Sequence, residues 1–121
     1  MRFVVQEHFA SHHHFDFRLE LKGVARSWAV PKGMPETVGE KRLGLQVGNH
    51  PISYMSFTGE IPRGEYGAGT VLVFDEGECR LLGENDGFLK LYLTGKKLKG
   101  IYTFTRFEGK QWKKWLITKE E

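Results

Sequence analysis

The sequence predicts an all-β fold, a small closed or nearly closed antiparallel β-barrel with short helical turns, on three observations. Glycine is abundant, at 15 of 121 residues, while proline is sparse, at four. Short apolar or aromatic-rich runs recur between turn signals, a pattern of many short strands. A sheet of that many strands must close or pack on itself to hide its edges. In chain order the runs are Phe3–Gln6, His13–Leu21, Ser27–Val30, Leu43–Val47, Thr70–Asp75, Cys79–Leu82, Phe88–Leu93, Ile101–Phe107 and Trp112–Thr118. Glu76-Gly77-Glu78 and Glu108-Gly109-Lys110 read as hairpin turns, because glycine reaches the positive φ that tight turns demand. Neighbouring strands are therefore antiparallel. One helical turn is expected around Pro35–Lys41, and with no repeat, low-complexity tract or linker, residues 1–121 read as a single domain.

Composition narrows the class. At 40% hydrophobic and 27% charged residues, the chain has the make-up of a soluble globular protein. Cys79 is the lone cysteine, which excludes an intramolecular disulfide and a zinc-thiolate cluster. Neither a secretory signal nor a run of about 20 apolar residues is present, so no membrane association and a cytoplasmic location are expected. Residues 90–121 hold nine Lys or Arg against three Glu, a basic bias that suits a polyanionic partner and equally a solvated lysine-rich surface.

The chemistry concentrates in EHFASHHHFDFRLEL, residues 7–21. His14, Asp16, Arg18 and Glu20 share one strand parity, and Phe15, Phe17, Leu19 and Leu21 share the other. The apolar face is the one to bury, which lines up imidazole, carboxylate and guanidinium on the opposite side at intervals of about 6.6 Å. A solvated strand face is ordinarily filled with Lys, Glu and Thr; this one carries a metal-type imidazole, a carboxylate and an arginine suited to bidentate phosphate contact.

His8 would lie about 20 Å from His14 on a fully extended chain, so sharing an ion requires a bend, most reasonably at Ala10-Ser11. With it, His8, His14 and Asp16 form a two-histidine, one-carboxylate site of the kind that takes manganese, iron or zinc. His12, at the bend, and His13, on the apolar parity, have weaker claims. Lys32 in SWAVPKG, and Arg42, His50 and Tyr54 in KRLGLQVGNHPISY, add cations and proton-transfer groups that a charged phosphoryl oxygen would use, although each alone reads as an ordinary surface or turn residue. PRGEYGAG, residues 62–69, lacks the Gly-Lys-Ser/Thr ending of a P-loop and reads as a turn. Trp112 and Trp115 among Lys110, Lys113 and Lys114 fit either a base-stacking platform or a core edge.

Together these motifs resemble the 3'-phosphoesterase domain of DNA ligase D. The resemblance rests on His8-Phe9-Ala10-Ser11, His14 through Glu20, and Ser27 through Gly33. It continues in Lys41-Arg42-Leu43, His50-Pro51 with Tyr54, Gly59-Glu60-Ile61-Pro62, Gly64 through Gly69, and Trp115-Leu116-Ile117. It covers nearly the whole chain and implies a compact β-barrel and a manganese-dependent enzyme of DNA end repair in non-homologous end joining, with zinc or cobalt as alternative ions. The implied reactions are removal of a 3'-terminal ribonucleoside to leave a 3'-phosphate, and hydrolysis of that phosphate to a 3'-hydroxyl. The resemblance places metal ligands at His8, His14 and Asp16. Phosphate-contacting and catalytic groups fall at Arg18, Lys32, Arg42, His50 and Tyr54. Many relatives carry Glu-Asp where this chain has Gly48-Asn49, which bears on the balance between the two steps. The expected substrates are DNA or RNA-tipped primer-template 3' ends. The chain reads as a free-standing monomer whose ligase or polymerase partner is a separate polypeptide.

Two other classes remain open on the residues alone. One is a nucleic-acid-binding barrel without turnover, using the basic C-terminal region. The other is a cupin-like small-molecule metalloenzyme built on His12, His14 and Glu20, although Gly23 follows Glu20 too soon and no glycine precedes His12.

Overall fold

The structure is a computed structural model that describes residues 1–108 and 113–121. The strands are β1 (Arg2–Phe9), β2 (His14–Leu21), β3 (Val24–Val30), β4 (Lys41–His50), β5 (Gly59–Ile61), β6 (Gly69–Asn85), β7 (Phe88–Gly95), β8 (Lys99–Glu108) and β9 (Lys114–Lys119), with one 3-10 helix at Ile52–Ser56. All pairings are antiparallel, in the order β1-β2-β3-β4-β9-β8-β7-β6, and a β6–β1 pairing closes the ring. The result is an eight-stranded barrel with the short β5 added alongside the start of β6. Closure removes the unpaired strand edges that an open sheet of this size would expose.

The alternation of the strands fills this barrel. Phe3 and Val5 of β1, Phe17 and Leu19 of β2, and Trp28 and Val30 of β3 turn inward to meet Leu89, Leu91, Tyr102, Phe104, Trp115 and Ile117. Trp28 packs edge-on to both Phe104 and Trp115. Trp115 is thus a core residue, and its indole N–H donates to Gln46 Oε1 at 3.1 Å. Trp112, the other half of the suggested stacking platform, lies outside the described residues, as does most of the Glu108-Gly109-Lys110 turn. Among the described residues no helix is long and apolar enough to cross a membrane.

The structure corrects two local expectations. Thr70–Asp75 and Cys79–Leu82 are not separate strands: both belong to the 17-residue β6, and Gly77 is strand, not turn. Gly77 is needed there because a Cβ would fall 2.1 Å from Thr94 O, where β6 passes from pairing with β1 to pairing with β7. No helical turn forms at Pro35–Lys41; the single one follows β4, where Pro51 precedes Ile52–Ser56. Proline is well placed just before a helix because its absent N–H would have no partner there.

Outside the barrel, the 3-10 helix packs on β1 and β3 and forms a second, smaller core around Val4, Ala25 and Met55. This outer layer covers part of the polar face of β2. Asp16 and Arg18, expected on an open face, are 8% and 4% exposed.

Candidate metal centre and phosphate-binding hollow

The register of three strands assembles the site. Across β1 and β2, His8 pairs with His14, Gln6 with Asp16, and Val4 with Arg18. Across β2 and β3, Asp16 pairs with Ala29 and Arg18 with Ser27. Side chains opposite one another in an antiparallel pair stand about 5 Å apart on one face, so these pairings bring all the groups together. The bend expected near Ala10-Ser11 is the β1–β2 connection, and it folds His8 back onto His14 with ring centroids 4.8 Å apart. Small Ala29, opposite Asp16, leaves room above the carboxylate. That room is a hollow of about 610 Å³, bounded also by Gly48, His50, Tyr54 and Tyr66.

His8, His14 and Asp16 each offer one ligand atom, and these three atoms lie within 4.8 Å of one another. Asp16 Oδ2 lies 3.9 Å from His8 Nδ1 and 3.4 Å from His14 Nε2. The opposite ring nitrogens are taken: His8 Nε2 donates to Gly67 O at 2.7 Å, and His14 Nδ1 donates to His12 O at 2.9 Å. Two imidazole lone pairs therefore face a carboxylate, an arrangement that a cation between them stabilises. Ligand bonds of about 2.1 Å hold adjacent donors roughly 3–3.5 Å apart, so small side-chain adjustments would suffice. The same convergence raises the pKa of His14, chiefly through its hydrogen bond with Asp16. The donor set fits a divalent transition ion.

Arg18 stands beside this cluster, with Nη2 3.6 Å from Asp16 Oδ2. Nε donates to Gln6 Oε1 at 2.6 Å, Nη1 donates to Ser27 Oγ at 2.8 Å, and the guanidinium lies 4.7 Å from the centre of the Tyr54 ring. Burial lowers its pKa from the ordinary arginine value, against the pull of Asp16. Gln6, fully buried, donates in turn to the carbonyls of Tyr54 (2.9 Å) and Phe57 (3.1 Å), tying the 3-10 helix to β1.

A bulge in the β3–β4 pairing, between Ala25 and Ser27, sets His50 beside this network. Its Nδ1 lies 3.1 Å from Arg18 Nη1 and 3.1 Å from Gly48 O. Burial first, and the charge of Arg18 second, hold its pKa below the usual histidine value, favouring the neutral ring. Tyr54 packs 5.0 Å from the His50 ring and stacks on Phe57. Gly48 and Asn49 contribute no acid to the wall, and Asp16 is the sole carboxylate among the described residues lining the hollow.

His8, His14, Asp16, Arg18, His50 and Tyr54 thus share one hollow, and Lys32 and Arg42 do not. Those two line a separate depression of about 480 Å³ with Pro31, Lys41 and Leu43. Arg42 is held at 2.8 Å by Glu40, whose carboxyl is lowered to about 2 by the backbone N–H groups of Glu36 and Thr37 and by Arg42 itself. His12 is exposed, and Glu20 accepts from the backbone N–H of Arg2, so the cupin-like set is not assembled. Sequence reasoning missed Gln6, Ser27 and the Gly67 carbonyl. Gln6 had a signal, since it shares strand parity with His8 and follows the apolar run Phe3-Val4-Val5.

The model of the DNA ligase D 3'-phosphoesterase domain matches residues 6–106. The multifunctional non-homologous end joining protein LigD of Pseudomonas aeruginosa is 45% identical over 126 residues, covering 98% of this chain and 15% of that protein. Its namesake in Mycolicibacterium smegmatis is 43% identical over 122 residues, covering 92% of this chain and 16% of that protein. The Mycobacterium tuberculosis protein, a multifunctional non-homologous end joining DNA repair protein, is 41% identical over 114 residues, covering 91% and 15%. The chain thus spans about a sixth of the length of the proteins it matches.

Proposed function

Since this chain belongs to the DNA ligase D 3'-phosphoesterase domain family, we propose that it is a metal-dependent phosphoesterase that heals DNA 3' ends. It removes a 3'-terminal ribonucleoside to leave a 3'-phosphate, and hydrolyses that phosphate to a 3'-hydroxyl. The observation that carries this reading is the convergence of His8, His14 and Asp16, with the buried Arg18 guanidinium 3.6 Å from the same carboxylate. In the first step water adds to phosphorus, the bond to the terminal nucleoside's 5' oxygen breaks, and that oxygen leaves with a proton. In the second, water adds again and the bond to the strand's 3' oxygen breaks, releasing inorganic phosphate.

His8, His14 and Asp16 would hold the ion, manganese in our reading, with zinc or cobalt accepted by the same donors. When bound, it supplies Lewis-acid polarisation of a phosphoryl oxygen and acidifies water. Arg18, its fork fixed by Gln6 and Ser27, holds a second phosphoryl oxygen and matches the negative charge spread over the transition state. Neutral His50 takes a proton from water or returns one to the leaving oxygen, and the Tyr54 hydroxyl orients the phosphate beside it. Lys32 and Arg42, in their own depression, hold phosphates further along the strand. The protein acts on DNA or RNA-tipped primer-template ends as a monomer.

The test is an end-labelled primer assay with manganese, zinc or cobalt, comparing a strand tipped by one ribonucleotide with a strand ending in 3'-phosphate. Both shorten or lose phosphate with the wild-type protein and neither does with His14→Ala or Asp16→Ala. Undiminished turnover in the double variant would overturn the assignment.

A further inference from the structure

The loop between β5 and β6, residues 62–68, forms a wall of the hollow and carries a side chain that no step above uses. Two successive turns shape it: Glu65 N–H donates to Pro62 O at 3.2 Å, and Ala68 N–H donates to Glu65 O at 3.1 Å. Gly64 and Gly67, at φ of 92° and 77°, permit the reversals. Gly69 closes the loop where a Cβ would fall 2.2 Å from Phe9 O, so no larger residue fits at its base. The carbonyl of Gly67 is the acceptor that orients His8. The apex of the second turn is Tyr66, fully exposed yet bordering the hollow that holds His14, Asp16 and Arg18. Tyrosine is costly to leave wholly in water, since the ring offers a large apolar surface. Here a hydrogen-bonded, glycine-shaped loop holds it at the rim of the hollow.

Resting on the phosphoesterase reading, we infer that Tyr66 is a base-stacking residue: its ring receives the base of the nucleotide at the 3' end while the phosphate sits over Asp16 and Arg18. Every base has a π-face, so stacking holds the end of a strand without reading its sequence, as an end-healing enzyme requires. Because one loop carries both Tyr66 and the Gly67 carbonyl, seating the base is mechanically linked to the orientation of His8.

The test uses a primer-template whose terminal ribonucleoside is 2-aminopurine, a fluorescent base quenched by stacking, titrated with protein in EDTA so that no bond is cut. Wild-type protein and Tyr66→Phe quench the signal; Tyr66→Ala leaves it unquenched and binds about tenfold more weakly. A primer with an abasic terminal ribose binds wild-type and Tyr66→Ala proteins equally. Manganese is then added to the same samples to read turnover. Absence of quenching by the wild-type protein, or equal quenching by Tyr66→Ala, would overturn the stacking role whatever the turnover. Quenching that depends on Tyr66 without any turnover by the wild-type protein would instead fault the phosphoesterase reading.

Discussion

Gln6 joins the reactive cluster to the outer layer, and its replacement by alanine should cost both. Its side chain accepts one bond from a charged donor, Arg18 Nε at 2.6 Å, and donates two to the main-chain carbonyls of Tyr54 and Phe57. A hydrogen bond to a charged group contributes about 1.5–3 kcal/mol and a neutral one about 1 kcal/mol. Losing all three from a fully buried position should destabilise the fold by about 4 kcal/mol, a large share of the roughly 5–15 kcal/mol of a typical domain. With a urea slope of about 2 kcal/mol/M, the unfolding midpoint falls by about 2 M. Gln6→Glu separates the two functions. Its carboxylate still accepts from Arg18, but its second oxygen faces two carbonyls without a proton to share, so the 3-10 helix comes loose while Arg18 stays anchored. Hydrogen exchange at the Phe57 amide, which donates to Tyr54 O in the native fold, reads this release. A Gln6→Ala midpoint within about 0.5 M of wild type, or unchanged Phe57 protection in Gln6→Glu, would refute the account.

Three further outcomes follow from the same structure. In the metal-free protein, NMR titration should find His50 protonating below 6.5 and His14 above it. The unfolded chain therefore takes up the His50 proton first as pH falls, so His50 subtracts stability as pH drops from about 6.5 through its folded value; the His14 contribution is full below about 6.5 and is lost as pH rises through its own raised value. Arg18→Gln should move the His50 midpoint up, and a midpoint that stays put would show that the arginine's charge does not reach it. Gly77→Ala should lower thermal stability by about 2–4 kcal/mol, because the new methyl would press on Thr94 O where β6 changes partners. A melting temperature within a degree or two of wild type would mean that the two strands part freely at that point.

Much of the reactive geometry is legible in strand parity alone. His14, Asp16 and Arg18 fall on one face because a strand has a period of two, and the one long-range guess required, that His8 returns to them, amounts to a hairpin. What parity does not carry is the pairing of strands distant in sequence. Ser27 and Ala29 look like unremarkable small residues until β3 lies against β2, where Ser27 accepts from Arg18 and Ala29 lines the hollow. Gly77 reads as a turn because glycine serves two ends, reversal of the chain and close approach of backbones, and local sequence does not distinguish them. Lys32 and Arg42 look like partners of Arg18 in a list of cations, yet β4 turns Arg42 toward Glu40 and a different depression. Parity alone puts the polar face of β2 in the open, but the segment from His50 to Ile61 folds over it and buries Arg18. That cover has a chemical consequence. A guanidinium in open water would be screened from a phosphate, whereas one desolvated and held by Gln6, Ser27 and Asp16 is already aimed and interacts at lower effective dielectric. Asp16 offsets only part of the cost of burying that charge, and an anion in the hollow would offset more, so on the proposed reading the outer layer would set how strongly the barrel face holds a phosphate.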